Sequence, residues 1–147
     1  TLNYFLRKLD SGASNEIYSR LGEKYSDRGL YAEAEPYYNK IVEGDPDNKD
    51  GFTIDAMMSL ADMKRRDKKY DEALDLFNKI KEKFPQSEKT LDADMWIALV
   101  YKLKGDTAKA IAGFEYFIKT YPQSEDTAYA REQIVKLKNP PPPEEKK

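Results

Sequence analysis

LDADMWIALVYKLKGDTAKAIAGFEYFIKTYPQS, residues 91–124, decides the fold. In its first half Met95, Ala98, Leu99 and Lys102 fall near one helical stripe, and Trp96, Val100 and Leu103 near another. Lys104-Gly105-Asp106 interrupts the pattern. Ala108, Ile111, Ala112, Phe114, Phe117 and Ile118 then restore the helical period until Pro122 ends it. The stretch predicts a helix, a tight turn and a second helix. Neither helix can bury its apolar face alone, so the unit needs neighbours.

The rest of the chain supplies them. Moved back by 37 residues, the stretch meets residues 54–87, with Ala110 on Ala73, Phe114 on Phe77 and Pro122 on Pro85. A further 39 residues back lies 15–48, with Ala73 on Ala34, Phe77 on Tyr38 and Pro85 on Pro46. Residues 49–53 and 88–90 are inserted between the copies. This period and punctuation resemble the tetratricopeptide repeat family. In the first copy Tyr18, Leu21, Gly22, Tyr25, Ala34, Tyr38 and Pro46 sit on consensus positions of that family. The other copies depart from it. Ala61 and Ala98 replace the helix glycine, Lys64 replaces the aromatic that Tyr25 and Tyr101 supply, and Ile41, Ile80 and Phe117 replace a small residue. The resemblance implies an all-α fold. Three helix-turn-helix repeats (15–48, 54–87 and 91–124) would stack as a right-handed superhelical solenoid, between an N-terminal helix and a C-terminal capping helix.

The flanks are read from their residues. In 1–14, Leu2, Phe5, Leu6 and Leu9 share one helical face and Gly12 is placed as its C-cap, so this part is an amphipathic helix and junction. Residues 125–138 form the capping helix, with Ala128, Ile134, Val135 and Leu137 inward and charged residues outward. Residues 139–147 carry Pro140 to Pro143 beside charges and read as an exposed polyproline II tail. The chain opens on Thr1 with no visible leader, which reads as an excerpt of a longer precursor.

Local signals fill in the repeats. Ser14 or Asn15 would cap a helix over 16–28, and Thr53, Ser87 and Ser124 would cap later ones. Gly22 marks a close helix approach opposite Ala34. The run from Lys64 to Lys69 complements a helix C-terminus, or else offers a basic patch to an acidic partner. Asp45-Pro46-Asp47-Asn48 begins like a calcium loop. Lys49 and Asp50 at its fifth and sixth places and Ala56 at its twelfth do not fit, so a polar turn is expected.

Chemistry-bearing residues are scarce. Cys and His are both absent from the 147 residues, which removes thiolates, imidazole bases and the usual zinc ligands. No catalytic residue, cofactor or metal site is expected, and the chain reads as non-enzymatic. A net charge of -2 gives no global attraction to nucleic acid, and no stretch is long and apolar enough to span a bilayer. The partner is therefore a protein or peptide, with self-association as a further possibility. In the family the first helix of each repeat lines a concave face. That implies a groove lined by Ser19, Glu23, Ser26 and Asp27, then Met58, Asp62, Arg65 and Arg66, then Met95, Leu99, Lys102 and Leu103. It would run from acidic through mixed to apolar and basic; the other reading of Met95, Leu99 and Leu103 is burial against the capping helix, which demands the same stripe. The family's clamp for a C-terminal carboxylate is not expected, because Ser19, Glu23 and Ser59 stand at its positions. Trp96 is expected to anchor the core between repeats two and three.

Phe84-Pro85-Gln86-Ser87 and Tyr121-Pro122-Gln123-Ser124 resemble the repeats of bacterial envelope proteins, namely the outer-membrane assembly lipoprotein and the Tol–Pal-associated coordinator. That resemblance implies the periplasm or cell envelope, with the cytoplasm as the alternative. A second functional reading is an accessory module of a larger enzyme, such as a thioredoxin-like one, whose catalytic domain lies upstream. The repeat register makes a direct prediction. Ala73→Leu or Ala110→Leu should overpack the helix contact and lower stability by about 1–3 kcal/mol in thermal unfolding; neutral behaviour would mean the register is misplaced.

Overall fold

The computed structural model describes residues 11–143. The expected helix on Leu2, Phe5, Leu6 and Leu9 lies outside them. Among the described residues the chain forms seven helices and no strand: α1 (Ser11–Ser26), α2 (Tyr31–Gly44), α3 (Thr53–Arg66), α4 (Tyr70–Lys83), α5 (Lys89–Lys104), α6 (Thr107–Thr120) and α7 (Thr127–Lys138). Each packs on the next, and α3 also touches α5. The architecture is an all-α tetratricopeptide repeat solenoid: α1/α2, α3/α4 and α5/α6 are the repeats, and α7 follows them.

Burial explains the repeat. Ala34, Ala73 and Ala110 are fully buried at matching places in α2, α4 and α6. One turn later Tyr38, Phe77 and Phe114 fill the space that these small residues leave between neighbouring helices. Three apolar clusters follow along the array. Tyr38 and Ile41 meet Leu60 and Met63; Met57, Phe77 and Ile80 meet Ala93 and Val100; Met95, Phe114 and Phe117 meet Ala130. Every cluster joins adjacent repeats, so no helical pair carries a core of its own.

Inside each repeat the turn is left-handed at the same register: Gly29 has φ 72°, Lys68 φ 60° and Gly105 φ 84°. Lys68 holds by side-chain-bearing backbone a conformation that glycine takes freely. The loop between repeats one and two is closed by hydrogen bonds. The buried Asp45 carboxylate accepts from the backbone N–H of Lys49 (2.9 Å) and Asp50 (2.7 Å). The Asn48 side chain accepts from the N–H of Thr53 (2.8 Å) and Ile54 (3.2 Å), which caps α3. A polar turn is what the mismatched calcium pattern predicted.

Several local readings need correction. Gly12 is inside α1 and does not end a helix. Ser14 and Asn15 also lie within α1 and are buried, so neither caps it, and Asn15 Nδ2 donates to Asp50 Oδ2 at 3.2 Å. Thr53 is the first residue of α3, and its hydroxyl donates to the Asp45 carbonyl, so Asn48 does the capping. Ser87 lies one residue and Ser124 two residues ahead of the position that caps the helix, and they accept from the N–H of Lys89 and Asp126. On α7 the buried side is Ala130 and Gln133, with Ile134 and Leu137 beside them, whereas Ala128 and Val135 are exposed. Ala128 and Val135 lie on the flank that a further second helix would cover.

One polar cluster interrupts the apolar joints. Asp94, buried in α5, pairs with Lys81 of α4 and accepts from the Tyr121 hydroxyl at 2.7 Å. Burial and the Asp94 carboxylate push the Tyr121 phenol up to about 12. Because the raised value belongs to the folded state, this contribution to stability holds below pH ~10 and is lost as pH rises towards that value. One repeat earlier the same three places hold Val42, Met57 and Phe84, which pack in an apolar cluster. Lys81→Val alone should strand a buried carboxylate and destabilise by about 3–5 kcal/mol. The triple change Lys81→Val, Asp94→Met and Tyr121→Phe, which copies the earlier joint, should recover most of that loss in urea unfolding.

Candidate groove on the first-helix face

The first helices α1, α3 and α5 present a groove of about 300 Å³. Glu23 and Ser26 come from α1 and Asp27 from the turn just after it; Met58, Ser59, Asp62 and Arg66 from α3; Trp96 from α5; and Tyr38 reaches in from α2. Six of the expected residues are thereby brought together: Glu23, Ser26, Asp27, Met58, Asp62 and Arg66. Ser19 stands beside them and donates to Glu23 Oε1 at 3.4 Å. Arg65 lies on the same face, with its guanidinium 4.8 Å from the Trp96 ring centroid.

At the far end Met95 and Leu99 follow the second reading, burial against the capping helix. Met95 is buried in the third cluster, and Leu99 packs against that cluster beside Ile134 and Leu137 of α7. The Lys102 ammonium donates to Gln133 Oε1 at 2.5 Å. Leu103 stays exposed. The anticipated apolar anchor is thus largely consumed in seating α7. Sequence periodicity could not separate the two outcomes, because the stripe that packs a neighbour and the stripe that binds a ligand have the same spacing.

Three residues of the groove were not among its expected lining: Tyr38, a packing residue of the repeat; Ser59, named only as a clamp position; and Trp96, expected as a core anchor. Trp96 stacks nearly parallel on Phe77 (centroids 6.4 Å apart, 8° between planes), which makes it the expected anchor between repeats two and three. Its other contacts are with Arg65 and the groove. Tyr38 has a sequence signal after all, in Gly22. A Cβ on Gly22 would stand 2.6 Å from the Tyr38 ring. The contact that requires glycine is therefore with Tyr38 and not with Ala34. Lacking that Cβ, α1 lets the phenol pass beneath it towards the groove. There burial raises the Tyr38 pKa, a hydrogen bond with Ser59 opposes this, and the charges of Glu23 and Asp27 add to the rise.

Charge is unevenly spent across the surface. Asp62 is saturated: Arg65 donates twice to Oδ1 (2.8 and 2.6 Å) and Arg66 once to Oδ2 (2.7 Å). Lys64 sits between Glu35 (3.0 Å) and Glu72 (3.1 Å), and Lys69 pairs with Asp67 (2.9 Å). The basic run at 64–69 is thus mostly neutralised by neighbouring acids and offers no open basic patch. The second-helix face has two grooves of its own. One holds Glu35, Glu72 and Asp75 about Lys64, the other Lys81 and Lys109 beside Tyr101 and Tyr116. Lys81 is already committed to Asp94. Among the described residues, no group of His, Cys, Asp and Glu is placed to hold a metal.

Comparison with known proteins agrees with this architecture. A tetratricopeptide repeat model matches residues 16–48. The model of the outer membrane lipoprotein family YfiO matches residues 51–131, more than half of the chain. The chain belongs to that family. The YfiO match starts where the loop after repeat one ends and runs into α7, so it takes in repeats two and three. No curated protein matches the chain. Among solved structures, a crystal structure of MamA protein is similar at 20% identity, covering 84% of this chain and 80% of that one, with a TM-score of 0.45. No helix among the described residues is long and apolar enough to cross a membrane.

Gly22→Ala tests how the groove floor is built. Helix propensity alone would favour alanine by about 1 kcal/mol. The clash with Tyr38 should outweigh that gain and lower stability by about 1–3 kcal/mol in urea unfolding. Gly22→Ala with Tyr38→Leu should recover part of the loss, since the ring that the new methyl meets is gone.

Proposed function

We propose that this YfiO-family chain is a non-enzymatic scaffold of the bacterial cell envelope that holds a protein or peptide segment in the concave groove between α1 and α3. The observation that carries this reading is the groove itself: an open channel with Met58, Trp96 and Tyr38 at its floor and charged side chains at its rim. An apolar floor supplies affinity and a charged rim supplies register and selectivity. The repeat fold favours a protein partner, since its surface varies while its packing residues stay the same. The envelope assignment is supported by the family, described as outer membrane lipoproteins, and by the Pro-x-Ser turns at Pro85 and Pro122.

Within the groove Glu23, Ser26, Asp27, Met58, Asp62 and Arg66 act with Tyr38, Ser59 and Trp96. Ser19 orients Glu23 and Arg65 backs Trp96. Leu103 extends the contact, while Met95, Leu99 and Lys102 hold α7. Photo-cross-linking in the native cell tests this. A photoreactive residue at Met58 should capture a defined partner in the envelope fraction. The same residue at Lys79, exposed on α4, should not. Equal capture at both positions, or capture of cytosolic proteins alone, would sink the proposal.

A further inference from the structure

We infer that the segment held in this groove presents a cationic side chain, Lys or Arg, next to an apolar one. This rests on the groove reading above and names the chemistry of its occupant. Several acids on the first helices have a basic neighbour. Asp62 has two, Arg65 and Arg66. Glu16 has Arg20 at 2.6 Å. Glu23 and Asp27, in contrast, are both exposed, line the groove together, and pair with no cation among the described residues; Asp92 of α5 is also unpaired but does not line the groove. Glu23 and Asp27 stand four residues apart, the first in the last turn of α1 and the second just past its end, and the Asp27 N–H donates to the Glu23 carbonyl at 2.9 Å, so both lie on the same side of the groove.

Their field already reaches the floor, since both charges help to raise the Tyr38 pKa. Beneath them lie Met58 and the Trp96 ring. Met58 is an adaptable thioether surface and Trp96 an aromatic one, both suited to an aliphatic stem or a neighbouring apolar side chain. A Lys or Arg entering here would lay its methylenes along that floor and bring its charge to Glu23 and Asp27. An acidic segment would meet two unpaired carboxylates and a saturated Asp62. Arg65 and Arg66 would attract it less, because Asp62 holds both.

Trp96 is the one tryptophan of the chain, so its fluorescence reports the groove directly. The chain is titrated with the amidated peptide Leu-Lys-Lys-Leu-Leu-Lys-Lys-Leu-Leu and with its counterpart in which Glu replaces each Lys. The Lys peptide should shift Trp96 emission saturably, and more weakly as salt is raised. Glu23→Gln with Asp27→Asn, two exposed isosteric changes, should weaken its binding by about 3- to 10-fold. If both peptides bind alike, or if the double variant binds the Lys peptide as well as the parent does, the cationic inference is overturned while the groove reading stands. If neither peptide moves Trp96 emission, both fail. If the chain alone shows a concentration-dependent shift together with a doubled mass in sedimentation, the occupant is a second copy and the inference is overturned.

Discussion

The structure depends on how closely two helices can approach within a repeat. Each pair is held at a distance that small residues set: Ala34, Ala73 and Ala110 on the second helices, and Ala61 and Ala98 on the first, all fully buried. In repeat three the contact is tighter still, because a Cβ on Gly113 would stand 2.9 Å from that of Ala98. In repeat one Gly22 accepts the Tyr38 ring in the same way. The two glycines lie on opposite helices of their pairs. The condition is that one partner be nearly bare, and either helix can meet it. Large side chains then fill the spaces between repeats, and the clusters they form join one pair to the next.

The fold was legible because this constraint repeats. Small residues, aromatic residues and prolines recur at shifts of 39 and 37 residues, and a period seen three times outweighs local propensity. Helix ends were less legible. A Ser, Thr or Asn before an apolar run is equally able to cap a helix, to sit inside one, or to bond across a loop, and the choice depends on what tertiary structure brings near. Asn15 illustrates this, since its partner Asp50 is a whole repeat away. Residues of the groove were legible where helix register alone places them, as for Glu23, Asp27 and Met58. The register left open whether α7 would cover Met95 and Leu99, and it did not disclose that Tyr38 would pass beneath Gly22. Both follow from contacts between helices distant in sequence.

Polar residues divide the array into unlike joints. The joint between repeats one and two brings together Val42, Met57 and Phe84, whereas Lys81, Asp94 and Tyr121 occupy the same places one repeat later. An apolar joint accepts any neighbour of similar shape. A buried pair accepts only the partner that completes it. Three similar repeats face the problem of stacking in the wrong order or on the wrong copy. The Lys81–Asp94–Tyr121 cluster works against both, because Val42 or Ile118 at the place of Lys81 would leave Asp94 without its cation. The surface shows the same economy: the run from Lys64 to Lys69 is largely spent on structure, while the unspent Glu23 and Asp27 lie at the groove.

Val135 carries a consequence for the spacing of such arrays. By the register of Pro85 and Pro122, Val135 stands where Ala98 stands in the preceding first helix. Ala98 is bare enough to let α6 approach through Gly113; Val135 is a branched side chain left 60% exposed. A helix docking on α7 as α6 docks on α5 would be held off by the two extra methyl groups. The interior steps of the solenoid are written in alanine and glycine; at α7 the same place is a valine, so a helix packed there would stand further off than α6 stands from α5.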